Sequence, residues 1–371
     1  MAKCVMLAVA GAGKTYRICH SIDPTRKNLI LAFTHENVKN ICKELLSAHG
    51  CVPELTSVMT FDSFVYRYIL SPYEPLLAQC FGLPSFKSKG ITIISPPEKS
   101  IIHNGHRFAN PLYKPKDCID HYTINGYYYN DTIPELLVYA QSKVKLINKA
   151  AQSINRFYSE VLIDEFQDFR EFDFDLIIKL SKKINNLTLV GDYYQHSVSG
   201  KNNAGKPFKN GSTPVSYTEF INALSRLHLS VDTTTLSCSR RCPPLICEFV
   251  TRKLSITINA NNDHEGSVIW LNKESIPAIL NDNSIPKLVY QDAKKYTFNA
   301  INWSYSKGDT MNSACVILTD KFKDIDKDSF SVSGISEITI NKLYVALTRT
   351  KGNLYLIKQK DFLSYKSQYT K

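Results

Sequence analysis

The sequence predicts an α/β protein of two units, each built on a parallel sheet. Three observations carry that reading. The chain has 371 residues, long for one core and suited to two. Short apolar segments alternate with helical stretches from the first residues onward, the order that a parallel sheet requires. A second series of apolar segments begins near Thr233.

In chain order, Cys4 to Ala8 reads as a strand that runs into a glycine-rich loop. Asn28 to Phe33 reads as a second buried strand, Glu36 to His49 as an amphipathic helix and Ser57 to Thr60 as a third strand. A helix is expected from Asp62 to about Leu70. From Pro72 to about Asp131 prolines, tyrosines and isolated charges replace any clear period, which marks an insertion. Ile133 to Phe157 returns to helical spacing, and Glu160 to Ile163 and Leu187 to Val190 are two more buried strands. In the second unit, strands are expected at Ser267 to Leu271, Lys287 to Tyr290, Ala314 to Leu318 and Asn353 to Ile357. Helices are expected at Pro244 to Leu254 and Ile340 to Thr348. The expected division is 1–232 and 233–371, with an inserted subdomain at about 72–155.

Composition narrows the function classes. Hydrophobic residues make up 43% of the chain, as in folded globular proteins. No apolar run reaches the roughly 18 residues of a membrane span, so no membrane partner is expected. Met1 to Val9 leads straight into the loop, and no signal peptide is expected. Ten cysteines are scattered without a repeated CxxC pair, and no histidines near Cys238, Cys242 and Cys247 complete a zinc set. Reduced thiols and a cytoplasmic location, in a bacterium or encoded by a phage or virus, are the expectation. The net charge of +11 favours a polyanionic partner.

Two motifs carry chemistry. Ala8-Val9-Ala10-Gly11-Ala12-Gly13-Lys14-Thr15 is a phosphate loop with alanine at its first glycine position. The glycines let backbone N–H groups turn toward phosphates, Lys14 reaches the β- and γ-oxygens, and the Thr15 hydroxyl suits Mg²⁺. Val161-Leu162-Ile163-Asp164-Glu165 is an apolar strand ending in two acids, at the sheet edge where ligands of parallel sheets bind. Asp164 is the candidate Mg²⁺ ligand, and Glu165 the candidate base for an attacking water.

Further motifs follow in a fixed order: Phe33-Thr34, Thr60-Phe61-Asp62-Ser63, Asp164-Glu165-Phe166-Gln167-Asp168, Gly191-Asp192-Tyr193-Tyr194-Gln195, Ser239-Arg240-Arg241-Cys242-Pro243, Ser306-Lys307-Gly308 and Tyr344-Val345-Ala346-Leu347-Thr348-Arg349. Together these resemble superfamily-one helicases of the UvrD/Rep type, over nearly the whole chain except roughly 70–155 and 255–300. The resemblance implies two RecA-like domains with ATP and Mg²⁺ in the cleft between them. Ala10, Gly11, Ala12, Gly13, Lys14, Thr15 and Gly308 are the implied nucleotide-binding residues. Gln195 is implied to sense the γ-phosphate, and Arg241 and Arg349 to clamp the transferring phosphoryl group from the second domain, with Arg240 the alternative to Arg241. Phe33, Thr34, Thr60, Phe61, Ser63 and Ser306 are the implied contacts to single-stranded DNA. Lys307 is implied to meet either the nucleic-acid backbone or the nucleotide.

The sequence departs from that family in four places. The upstream glutamine that reads adenine has no counterpart. His196-Ser197-Val198 stands where relatives place an aromatic that stacks on DNA. Asp309-Thr310-Met311-Asn312 replaces an acidic and aromatic pattern. About 65 residues separate Arg241 from Ser306, room for one small α/β unit but not for the large accessory subdomain of relatives. The resulting expectation is a compact 3′-to-5′ DNA translocase or helicase that unwinds poorly alone and works with a protein partner in repair, replication or defence. Two other readings share the motifs: an ATP-gated DNA-binding subunit that switches a partner such as a nuclease, and an RNA helicase of viral type.

Overall fold

A computed structural model of the chain describes residues 3–196, 206–211 and 213–371. Ser197 and Val198, where the missing aromatic was noted, lie outside the described residues. The first sheet has strands β1 (Lys3–Leu7), β2 (Asn28–Ala32), β3 (Thr56–Thr60), β4 (Glu160–Asp164), β5 (Leu187–Gly191) and β6 (Ser230–Asp232). Their order is β6-β1-β5-β4-β2-β3, and every pairing is parallel. The inner strand β2, Asn-Leu-Ile-Leu-Ala, is buried along its whole length, as expected of a strand covered on both faces.

The second sheet has β7 (Val268–Trp270), β8 (Lys287–Val289), β9 (Ala300–Asn302), β10 (Ala314–Ile317) and β11 (Leu354–Ile357), in the order β7-β11-β10-β8-β9 and again all parallel. Apart from β6, added at one edge of the first sheet, both sheets follow one scheme counted along the chain: first strand, fifth, fourth, second, third. The molecule is thus two RecA-like α/β domains, although the sequence shows no internal repeat. The edge strand β9 was not expected from the sequence. It is three half-buried residues long and carries no strong period.

Helices begin and end where local chemistry sets them. Thr34 caps the start of the helix His35–His49, its hydroxyl accepting the Asn37 N–H, and Gly50 closes that helix in the left-handed conformation. The stretch Ile133 to Phe157 forms two helices, Ile133–Val144 and Leu146–Phe157, broken at Lys145 with φ 55°. Both bury an apolar face in the first core, with Leu136, Leu137, Ile147 and Ile154. The segment before them forms a three-stranded sheet (Gly90–Thr92, Tyr127–Tyr129, Thr123–Ile124) and a hairpin pairing Ser100–His103 with His106–Ala109. No helix among the described residues is long and apolar enough to cross a membrane.

The two domains share a continuous core. Ala10, Ala12, Ile18 and Val190 pack in one buried cluster with Leu236, Cys242, Ile246 and Tyr344. Burial of polar groups at this junction has a measurable consequence at His196. Burial lowers this imidazole from 6.5 to about 4, and the neutral ring stacks on Phe208 with centroids 4.3 Å apart. In the unfolded chain the ring takes up its proton near pH 6.5. Its contribution to stability is therefore complete above pH 6.5 and is lost as the pH falls toward 4, by up to about 3 kcal/mol. Denaturant unfolding from about pH 7 down to about pH 4 should show that decline, and His196→Phe should flatten it.

Candidate functional site

The phosphate loop joins β1 to the helix Lys14–Ser21. Gly13 sits at the start of that helix with φ 84° and offers no side-chain cap, which leaves the first N–H groups free for an anion. Gly11, at φ 73°, is required for a second reason. A Cβ there would stand 2.6 Å from Arg241 Cβ and 2.7 Å from Ser239 Oγ. The Arg240 N–H donates to the Gly11 carbonyl at 2.9 Å, so the second domain clasps the loop directly.

Thr15 Oγ1 donates to Asp164 Oδ2 at 2.8 Å, bringing a hydroxyl and a carboxylate to one point at the end of β4. Burial and the neighbouring Glu165 charge push the Asp164 carboxyl up. Glu165 itself adopts φ 57°, a conformation that costs a non-glycine residue on the order of 1 kcal/mol or more. Burial opposes its charge, but Lys14 at 3.2 Å and Lys307 at 3.6 Å hold its carboxyl well below the usual range. The Gln167 amide also donates to it. Lys307 comes from the second domain and lies 2.6 and 2.7 Å from the two Asp168 oxygens. In this structure it meets the acids rather than open solvent.

Two arginines of the second domain complete the cleft. Arg349 is 1% exposed. Its guanidinium donates to Val345 O at 2.8 Å, Thr348 Oγ1 at 3.2 Å and Ser306 O at 3.5 Å. Arg241 donates to Thr348 O at 3.3 Å. Among the described residues neither makes an ion pair with a carboxylate. Burial, and then the positive charge of Arg241, lowers Arg349 to about 10; burial lowers Arg241 as well. One buried and one half-buried guanidinium, neither in an ion pair, leave positive charge in the cleft that suits an anion.

These groups line one cavity of about 340 Å³ between the domains. It brings together Gly11, Ala12, Gly13, Lys14, Thr15, Asp164, Glu165 and Gln195 from the first domain with Arg241, Gly308 and Arg349 from the second. Gln195 Nε2 donates to Asp192 Oδ2 at 2.7 Å, which fixes the amide at the cavity wall. Ala10 is the exception among the loop residues. It is fully buried and its N–H donates to Tyr344 OH at 2.8 Å, so its amide is not presented to the cavity. Tyr16 belongs to no motif and was not expected at the site. Its ring lies under the Arg240 guanidinium at 5.1 Å and stacks on His20, at the mouth of the cleft. Its position directly after Lys14-Thr15 was the available signal.

The expected strand contacts do not share that cavity. Phe33 is partly buried and stacks on Phe61 at 5.6 Å, with its edge to Phe169 at 5.1 Å. Thr34 is exposed, and Thr60 Oγ1 accepts the Ser63 N–H at 3.2 Å and donates to Ser63 Oγ at 2.8 Å. Ala32 and Thr60 are register partners at the ends of β2 and β3, so these residues form one patch at the carboxyl edge of the first sheet. Two expectations need correction. Phe61 is 1% exposed and belongs to the core, and Ser306 is fully buried with its hydroxyl donated to Trp303 O at 2.8 Å. As placed, neither side chain is offered to a strand, because packing and a local hydrogen bond already use it.

Comparison with known proteins bears on the segment that carries the acids. Residues 121–197 match the model of the UvrD/REP helicase N-terminal domain. This stretch is similar to superfamily-one helicases. It includes Asp164, Glu165 and Gln195, the first-domain acids and amide of the cleft. Among solved structures, the PRRSV helicase matches with a TM-score of 0.45 and 12% identity, over 98% of this chain and 54% of that one. Arterivirus nonstructural protein 10 (helicase), solved in complex with DNA, matches with a TM-score of 0.46 and 13% identity, over 97% of this chain and 62% of that one. The chain thus spans less than two thirds of the length of either protein. Among curated proteins no sequence matches the chain.

Proposed function

We propose that the chain is a motor that hydrolyses ATP between its two domains and moves 3′ to 5′ on single-stranded DNA. The observation that carries this reading is the pair Arg241 and Arg349, the first half-buried and the second buried, neither in an ion pair with a carboxylate among the described residues, and both lining one cleft with Lys14. A phosphate chain supplies the missing anion. The loop amides and Lys14 would hold its β- and γ-groups, and the arginines would meet the charge that builds on the transferring group. Glu165 would orient and deprotonate the attacking water once Lys14 turns from it to phosphate. Gln195, held by Asp192, would register loss of the γ-phosphate.

The hydroxyl of Thr15 and the carboxylate of Asp164 are hard oxygen donors that suit Mg²⁺. When bound, that ion neutralises charge on the phosphate oxygens. Tyr16 and Arg240 present a flat aromatic face and a planar cation at the cleft mouth, which fits the nucleotide's base. Thr34 and Ser63, with the partly buried Phe33, would track a strand by its backbone, without regard to sequence, while Thr60, itself buried, holds Ser63 in place. The division falls at 232/233, between β6 and the segment that carries the first arginine. The resemblance supplies the polarity, and a protein partner would assist the compact chain in duplex unwinding.

Steady-state ATP turnover with and without single-stranded DNA tests this directly. We expect strong stimulation by DNA, and its loss together with basal turnover in Lys14→Ala. Single-stranded RNA of the same length is the parallel arm. Stimulation by RNA alone would replace the DNA reading, and turnover that DNA raises independently of strand length would favour a stationary switch over a motor. An intact, folded chain that does not hydrolyse ATP would end the proposal.

A further inference from the structure

The helix Glu337–Leu347 of the second domain turns one face toward the first domain. Residues 337, 341 and 344 lie on that face by helical spacing. Each meets a residue of the turn that follows β5. Tyr193 OH donates to Glu337 Oε1 at 2.9 Å, Asn341 Nδ2 donates to His196 O at 3.4 Å, and Tyr344 OH donates to Asp192 Oδ2 at 3.3 Å. The Tyr344 phenol does more than the other two. It also accepts the Ala10 N–H of the phosphate loop at 2.8 Å. One fully buried hydroxyl therefore joins the loop, the acid that holds Gln195, and a helix whose last turn leads into Thr348 and Arg349.

We propose that Tyr344 is a positioning residue that ties the phosphate loop and the Asp192–Gln195 turn to the closed arrangement of the two domains. This inference rests on the ATP-driven reading above. The phenol can reach Ala10 and Asp192 only while the second domain is seated. When the domains part, the Ala10 N–H and Asp192 Oδ2 each lose a partner, and the carboxylate that holds Gln195 keeps only its bonds within the turn, from the Tyr194 N–H and from Gln195 itself. A buried polar group left without its partner is costly, which makes the docked and undocked states distinct rather than continuous. Closure thus sets the loop, the γ-phosphate amide and Arg349 at one time. Strand binding across both domains would act on catalysis through this hydroxyl.

Tyr344→Phe removes the hydroxyl and keeps the ring, which also packs edge-on to Tyr194. In the full chain we expect kcat with single-stranded DNA to fall by about tenfold, from the loss of a buried hydrogen bond. KM for ATP should stay within about threefold, thermal stability should be nearly kept, and the ratio of DNA-stimulated to basal turnover should shrink. Asn341→Ala, which leaves the phenol in place, should weaken the same ratio to a smaller degree. It decides the matter should Tyr344→Phe fail to fold: an unchanged ratio there overturns the inference. A folded Tyr344→Phe protein with wild-type kcat and stimulation also overturns it. So does an equal loss of basal and stimulated turnover with a lower melting temperature, which is the mark of packing alone. These outcomes leave the ATPase reading standing, whereas a wild-type chain without ATP turnover removes both.

Discussion

Arg349→Ala should abolish ATP turnover almost completely, with a fall in kcat of roughly a thousandfold or more. The argument is electrostatic. Arg349 is buried, has no carboxylate partner among the described residues, and is held at the cavity by Val345, Thr348 and Ser306. A cation kept out of water in this way is already organised toward charge that appears only during reaction, so little rearrangement is needed at that moment. Truncation removes that field and leaves nucleotide binding largely to the loop and Lys14. Binding of a fluorescent ATP analogue should accordingly weaken far less than kcat. Arg349→Lys should not restore turnover, because an ammonium cannot reproduce the fork that reaches Val345, Ser306 and Thr348 together. Retention of more than about a tenth of wild-type kcat in Arg349→Ala would remove this residue from catalysis.

Glu165→Gln should lower kcat by roughly a hundredfold to ten-thousandfold, the range for loss of a positioned base. The substitution keeps shape and hydrogen-bonding capacity but ends the attraction to Lys14 and Lys307. Lys14 is then released toward phosphate, so KM for ATP should stay unchanged or fall, and the variant should hold nucleotide and strand together without turnover. A matching rise in KM and fall in kcat/KM with kcat intact would show that Glu165 serves binding only. The lysines that flank this carboxylate hold it in its charged form well below neutral pH. Loss of activity on mild acidification is therefore not expected to originate at Glu165 while both lysines are in place.

Much of the first domain was legible in the sequence because its signals are local. A buried strand, a glycine-rich turn and a helix are written in successive residues from Lys3 to Ser21, and β4 announces itself as an apolar run closed by Asp164 and Glu165. The second domain was legible more weakly. Its strands were placed within a residue or two, but β9 escaped notice because three half-buried residues at a sheet edge carry almost no period. The helix Glu337–Leu347 also starts three residues earlier than its apolar pattern suggested, since Glu337 turns toward Tyr193 instead of solvent.

By itself the sequence determined the chemistry on offer: a phosphate loop, two acids at a strand end, a glutamine after the next strand, and arginines in two later motifs. Only the tertiary structure decided which of these meet. It brought Arg241 and Arg349 into one cleft with the loop, gave Lys307 to Asp168 and Glu165, gave the Ala10 amide to Tyr344, and took Phe61 and Ser306 into the interior. The physical reason is one of range. Backbone turns and hydrophobic periods are set by neighbours a few residues apart, whereas Ala10 and Tyr344 are 334 positions apart and meet only because two parallel sheets of the same strand order pack across a shared core.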